Sequence, residues 1–113
     1  RKFYAKMLTK RAAIKKTEQF IKELKASGVH VRRAVLFGSY AHGKPHKWSD
    51  IDVALVADEF KGPGYNDAHY YSDIRYSGGY SIISTRTYNT KQFTPRIDPF
   101  VEVIMEHGIE ITC

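Results

Sequence analysis

Two apolar runs, and the residues at their ends, constrain this chain most. Leu36-Phe37 leads into Gly38-Ser39-Tyr40-Ala41-His42-Gly43, and seven residues later comes Asp50-Ile51-Asp52-Val53-Ala54-Leu55-Val56. The first reads as a strand running into a Gly-Ser turn, the second as a strand with two aspartates at i and i+2. Residues two apart on a strand share a face. Asp50 and Asp52 are therefore expected side by side, aimed toward the turn. The near-continuous run Ile51, Val53, Ala54, Leu55, Val56 predicts a central strand covered on both faces.

The flanking segments supply the rest of an α+β chain. Ile14, Ile21 and Leu24 recur at helical spacing with Phe20 beside them, so residues 9–27 predict a helix with Thr9 as N-cap and Gly28 as its stop. Val29–Phe37 is the first predicted strand, Gly38-Ser39 starts a short helix ending near Gly43, and residues 44–49 form a loop. Lys61-Gly62-Pro63-Gly64 breaks structure, Asn66–Tyr76 predicts a helix, and Gly78-Gly79 breaks it again. Tyr80–Tyr88 predicts a third strand. Asp98 as N-cap, Pro99 at the first helical position and Glu102 open a last helix, with Phe100, Val101, Ile104 and Met105 as its buried stripe and Gly108 as its stop. Ile109–Thr112 is a short strand expected at a sheet edge. Tyr65, Tyr70, Tyr71, Tyr76 and Tyr80 are read as packing tyrosines.

With 113 residues the chain is expected to form one domain over 1–113 with a core of its own. It begins at Arg1 rather than Met, so a few leading residues are expected to be missing. No apolar run nears the ~20 residues of a membrane span, and no signal peptide is visible. The single cysteine, Cys113, is expected as a free thiol in a reducing cytoplasm. His30, His42, His46, His69 and His107 show no zinc spacing. The net charge of +6 is concentrated at one end. Residues 1–27 hold nine Lys/Arg against Glu18 and Glu23, while the remainder holds nine basic and ten acidic groups. This basic helix lacks the interleaved aromatics of a single-strand groove. It is read as a solvated face, and nucleic acid is not an expected partner.

A phosphate site needs close backbone approach and donors. Gly38 allows the approach, Ser39 adds a hydroxyl, and the following helix start presents N–H groups. Mg²⁺ takes carboxylate oxygens while keeping waters and substrate phosphates. Asp50 and Asp52 offer such oxygens on one side of a sheet, where unpaired carboxylates are otherwise costly. Gly, Ser, Asp and Asp at these fixed offsets arise by chance in about one chain in a thousand of this size.

Gly38-Ser39, ten residues, then Asp50-x-Asp52 resembles the signature of the DNA polymerase β-like nucleotidyltransferase superfamily. Val35-Leu36-Phe37, Ala41, Gly43, Ser49 and the ending Asp98-Pro99-Phe100-Val101-Glu102 through His107-Gly108-Ile109-Glu110-Ile111 resemble its minimal nucleotidyltransferase branch. The resemblance spans roughly residues 10–112. It implies a mixed sheet of three to five strands with helices mainly on one face. It also implies Mg²⁺-dependent transfer of a nucleoside monophosphate from ATP or another NTP to a hydroxyl. In that scheme Gly38 and Ser39 grip the triphosphate, and Asp50 and Asp52 bind the metals and carry catalysis. Members of the superfamily place a third carboxylate near the start of the next strand. Ser81 is expected at that position here, with Asp73 as a stand-in only if the fold brings it near.

Two functions follow. One is an antitoxin-like nucleotidyltransferase acting on a HEPN-type helical protein, with a second chain or a homodimer completing the acceptor site. The other is a degenerate module that binds nucleotide or a partner without turnover. Arg86 is expected to put positive charge where the acid is missing. His42, His46, Lys44 and Lys47 are read as solvated, and Trp48 as a packing residue.

Overall fold

The computed structural model of the chain describes residues 8–46 and 49–112. Lys47, Trp48 and Cys113, with the readings given to them above, lie outside these residues, as do Arg1, Lys2 and Lys6.

Helix α1 spans Lys10–Ala26. The Ala12 N–H donates to the Thr9 hydroxyl oxygen at 3.0 Å, the N-cap expected from sequence. Its buried stripe is Ala13, Thr17, Phe20, Ile21 and Leu24. The Thr17 hydroxyl donates to the Ala13 carbonyl at 2.8 Å, which satisfies the one polar group in that stripe. Strand β1 spans Val31–Phe37. It starts two residues later than predicted because the Val29 N–H still donates back to the Leu24 carbonyl at the helix end.

Helix α2 is Ser39–His42 and strand β2 is Ile51–Ala57. The helix predicted over 66–76 is divided into a single 3-10 turn, Ala68–Tyr70, and helix α3, Ser72–Ser77. Side-chain acceptors cause the division. Asn66 Oδ1 takes the Ala68 N–H at 3.0 Å, and the Asp67 carboxylate turns back to the Lys61 and Gly62 N–H groups at 2.9 and 3.0 Å. Strand β3 spans Ile83–Tyr88, not Tyr80–Tyr88. Tyr80 is buried against Phe20, ring centroids 5.2 Å apart, its hydroxyl donates to Glu23, and the Ile83 N–H closes a turn onto its carbonyl. Helix α4 is Phe100–His107 and strand β4 is Ile109–Glu110. α4 starts one residue later than predicted, with Pro99 rather than Asp98 at its N-cap, although Asp98 Oδ1 accepts from the Phe100 N–H at 3.1 Å; Met105, read as part of its buried stripe, is exposed.

The sheet runs β3-β2-β1-β4. β1 is antiparallel to β2 and to β4, and β2 is parallel to β3. This makes a mixed four-stranded sheet in an α+β fold, with β4 at the edge as expected. Alternation along β2 divides the core. Ile51, Val53, Leu55 and Ala57 face Phe20, Ile21 and Leu24 of α1, with Tyr40 of α2 and Ile74 of α3 on that side. Ala54 and Val56 face Val35, Tyr88 and the Val101 and Ile104 of α4. Three helices thus cover one face and α4 covers the other. Tyr70 and Tyr71 pack half-buried against the first cluster, as read from sequence, whereas Tyr65 and Tyr76 are exposed.

Candidate functional site

The face carrying Ala54 and Val56 also carries Asp52, because residues two apart on β2 share it. Asp52 is paired in register with Phe37 on β1 and with Ser84 on β3. β1 therefore ends opposite Asp52, and the next residue, Gly38, crosses over the carboxylate. Gly38 has φ 74° and ψ −153°. A Cβ there would stand 3.1 Å from Asp52 Cγ and overlap Oδ2. Only glycine satisfies both the dihedral and the approach.

The turn after Gly38 is fixed from below. Tyr40 and Ala41 are buried, and the His42 N–H donates to the Gly38 carbonyl at 3.0 Å. No side chain caps the first turn of α2, so the turn faces outward with backbone rather than with its own acceptor. On the approach to β2, Ser49 is buried. Its hydroxyl accepts from the His46 N–H at 2.9 Å, and its own N–H donates to the His46 carbonyl. These two bonds fix Ser49 at the entrance to β2, with Asp50 next in the chain and two residues from Asp52.

Asp50 is exposed and Asp52 half-buried. Among the described residues neither carboxylate has a hydrogen-bond or ion-pair partner. Burial raises the Asp52 carboxyl above its ordinary range, and the neighbouring Asp50 raises it further. The other shifted aspartates behave oppositely. Asp58 is held low by its hydrogen bond from Arg32. Asp98 is raised by burial but lowered overall by donors from Tyr88, the Phe100 backbone and Arg86. Asp50 and Asp52 are thus two hard oxygen donors paired with no cation among the described residues, and the glycine beside Asp52 lets the turn close directly over its carboxylate. That donor set fits Mg²⁺.

The register of β3 sets which residue stands beside Asp52. Ser81 lies in the turn before β3, where its carbonyl accepts from Arg75 Nη2 at 2.9 Å. The β3 residue beside Asp52 is Ser84. Among the described residues no group of three His, Cys, Asp or Glu is placed to hold a metal ion. Asp73 lies in α3, which packs with α1 on the opposite side of the sheet, so the fold does not bring it to Asp52.

Arg86 does lie on the Asp52 face of β3, beside Ala54. Its Nε donates to the Tyr88 hydroxyl at 2.8 Å and its Nη2 to Asp98 Oδ2 at 3.2 Å. Its guanidinium sits 4.4 Å from the Phe100 ring centroid. Burial, with Asp98 accepting from its hydroxyl, pushes the Tyr88 phenol up to about 12 against the opposing pull of Arg86. Arg86 is thus a fixed charge locking α4 to the sheet. His42, Lys44 and His46 are exposed, and the His42 ring lies 4.4 Å from that of His107.

A family model described as a nucleotidyltransferase domain matches residues 14–111. Among solved structures, the chain resembles a proposed nucleotidyltransferase from Sulfolobus solfataricus, with TM-score 0.61 and 15% identity over 89% of this chain and 80% of that one. It also resembles a mutant of the toxin-antitoxin MntA-HpeT, with TM-score 0.51 and 16% identity over 84% of this chain and 72% of that one. No curated protein matches the chain by sequence. Among the described residues no helix is long and apolar enough to cross a membrane.

Proposed function

This chain belongs to the nucleotidyltransferase-domain family, and from that membership and its paired acids we propose that it binds Mg²⁺ with a nucleoside triphosphate, ATP foremost, and passes the nucleoside monophosphate to a hydroxyl on a partner protein. The observation that carries the reading is the close approach of Gly38 to the Asp52 carboxylate, which stands unpaired beside a turn that no side chain caps.

In this reading Asp50 and Asp52 hold the cation, and the Gly38-Ser39 turn holds the triphosphate through backbone N–H groups and the Ser39 hydroxyl. Bound there, Mg²⁺ supplies neutralisation of phosphate charge and orientation of the leaving group. The acceptor oxygen bonds the α-phosphorus, the bond from that phosphorus to the bridging oxygen breaks, pyrophosphate departs with that electron pair, and the hydroxyl proton passes to solvent. The sheet register holds Asp52, so positioning and electrostatics are the chain's contribution. One fold neighbour comes from a toxin-antitoxin pair. By analogy the acceptor is proposed to sit on a HEPN-type helical protein, in a cytoplasmic setting.

Ser84 beside Asp52 favours a second reading, a module that binds nucleotide and catalyses nothing. Calorimetry with millimolar ATP, with Mg²⁺ and then with EDTA, tests the binding shared by both. Binding should require Mg²⁺ and vanish in Asp50→Asn/Asp52→Asn; Mg²⁺-independent binding, or none, removes both readings. ATP labelled at the α-phosphate, incubated with the chain and any helical protein encoded next to it, separates them. Label on the partner supports transfer, and an unlabelled partner in the presence of bound nucleotide supports the module.

A further inference from the structure

The strand beside the paired acids supplies a neutral side chain at the point nearest Asp52 and a fixed positive charge further along. Parallel register sets Ser84 against Asp52, Arg86 against Ala54 and Tyr88 against Val56. Tyr88 belongs to the cluster on the α4 side, whereas Ile83 belongs to the cluster under α1. Ser84, Arg86 and Tyr88 therefore share the face of Asp52.

A second divalent ion would have to sit about 3.5–4 Å from the first, and a hard cation there needs anionic oxygen of its own. Ser84 offers a neutral hydroxyl. Two other acids on this side of the sheet are committed: Asp98 accepts from Tyr88 Oη at 2.7 Å, from Arg86 Nη2 at 3.2 Å and from the Phe100 N–H at 3.1 Å, and Glu110, paired in register with Val35, accepts from Arg33 Nε at 2.7 Å. Arg86 is held by Asp98 and by Tyr88, two residues or about 7 Å along the strand from Ser84. Its charge opposes another cation nearby.

We propose that this site takes one divalent cation with its nucleotide, and that Ser84 sets that number. The proposal rests on the Mg²⁺–nucleotide reading of Asp50 and Asp52. Any transfer by this chain then proceeds with that single cation.

Mn²⁺ with the non-hydrolysable analogue α,β-methylene-ATP tests it, counting Mn²⁺ retained per chain by equilibrium dialysis and recording its electron paramagnetic resonance. The wild-type chain is expected to hold one Mn²⁺ with an uncoupled spectrum, and Ser84→Ala the same. Ser84→Asp is expected to hold two, with the broadening of a coupled pair. Two coupled ions in the wild type overturn the proposal while leaving the nucleotide site standing. A folded Ser84→Asp that binds the analogue with one ion also overturns it. Absence of both Mn²⁺ and analogue from the wild type removes the underlying reading and this proposal together. Should Ser84→Asp fail to fold by circular dichroism, the wild-type count alone decides.

Discussion

Gly38 lies over the Asp52 carboxylate so closely that no Cβ fits between them. The residue also holds φ 74° with ψ −153°, a region that costs any L-residue about 1–3 kcal/mol. Gly38→Ala thus meets strain and overlap at once, and relief requires moving either the turn or the acid. The expected result is at least a tenfold loss of Mg²⁺–ATP affinity by calorimetry, with a lowered melting temperature. Unchanged affinity would detach this turn from the ligand.

Asp52 is expected to be a site where function opposes stability. Burial first, and Asp50 second, raise its carboxyl in the folded state, so the folded chain binds its proton more tightly than the unfolded chain does. Stability from this group is present below the ordinary aspartate value and declines as pH rises through the raised one. At neutral pH the full cost stands. Asp52→Asn should therefore raise the melting temperature by about 2–4 °C, the shift of roughly 0.5 kcal/mol in a domain near this size. The gain should disappear below about pH 4, the ordinary aspartate value, and the variant should lose Mg²⁺-dependent ATP binding. A scan showing Asp52→Asn less stable than wild type at pH 7 would contradict the electrostatic account.

Periodicity and caps made most of the frame legible. Thr9, Gly28 and the stripe of α1 marked that helix, and alternation along β2 put Asp52 on the face of Ala54 and Val56. What escaped was register. Whether Ser81 or Ser84 neighbours Asp52 depends on where β3 begins, and Tyr80 is β-prone in sequence yet is drawn to Phe20 and Glu23 of α1, the latter fifty-seven residues away in the chain. The alternation ending at buried Tyr88 held a clue, since it places Ser84 and Arg86 on the Tyr88 face. Asp67 escaped for a similar reason. Its partners, Thr87 and the 61–62 backbone, meet it only after the loops fold back.

Asp67 is 3% exposed and accepts from the Lys61 and Gly62 N–H groups and from the Thr87 hydroxyl at 2.7 Å. Burial raises its carboxyl, but the Lys61, Thr87 and Gly62 donors outweigh burial and hold it below the ordinary range. Its stabilisation is present above the unfolded aspartate value and is lost as pH falls through the folded one. Asp67→Ala leaves three donors without their acceptor and should cost about 2–3 kcal/mol. Chemical denaturation from pH 7 down to pH 3 should show the wild-type curve falling toward that of the variant; a constant gap across this range would mean the carboxylate's charge is irrelevant.

The basic face of α1 is expected to be electrically remote from the nucleotide. Lys15 and Lys22 are exposed on a helix that packs over Val53 and Leu55, the side of the sheet opposite Asp52. A helix is about 10 Å across, and the sheet lies between, so these charges stand beyond the roughly 8 Å Debye length of physiological salt. Lys15→Glu/Lys22→Glu should leave Mg²⁺–ATP affinity within about twofold at 0.15 M salt. Were the same helix an RNA-binding face, wild-type affinity for single-stranded RNA would fall steeply with salt, and loss of two phosphate contacts in the double variant would flatten that slope by about 1.4. The expected outcome is weak RNA binding that the substitutions do not change. A steep slope flattened by the pair would instead make α1 a nucleic-acid surface separate from the acids of β2.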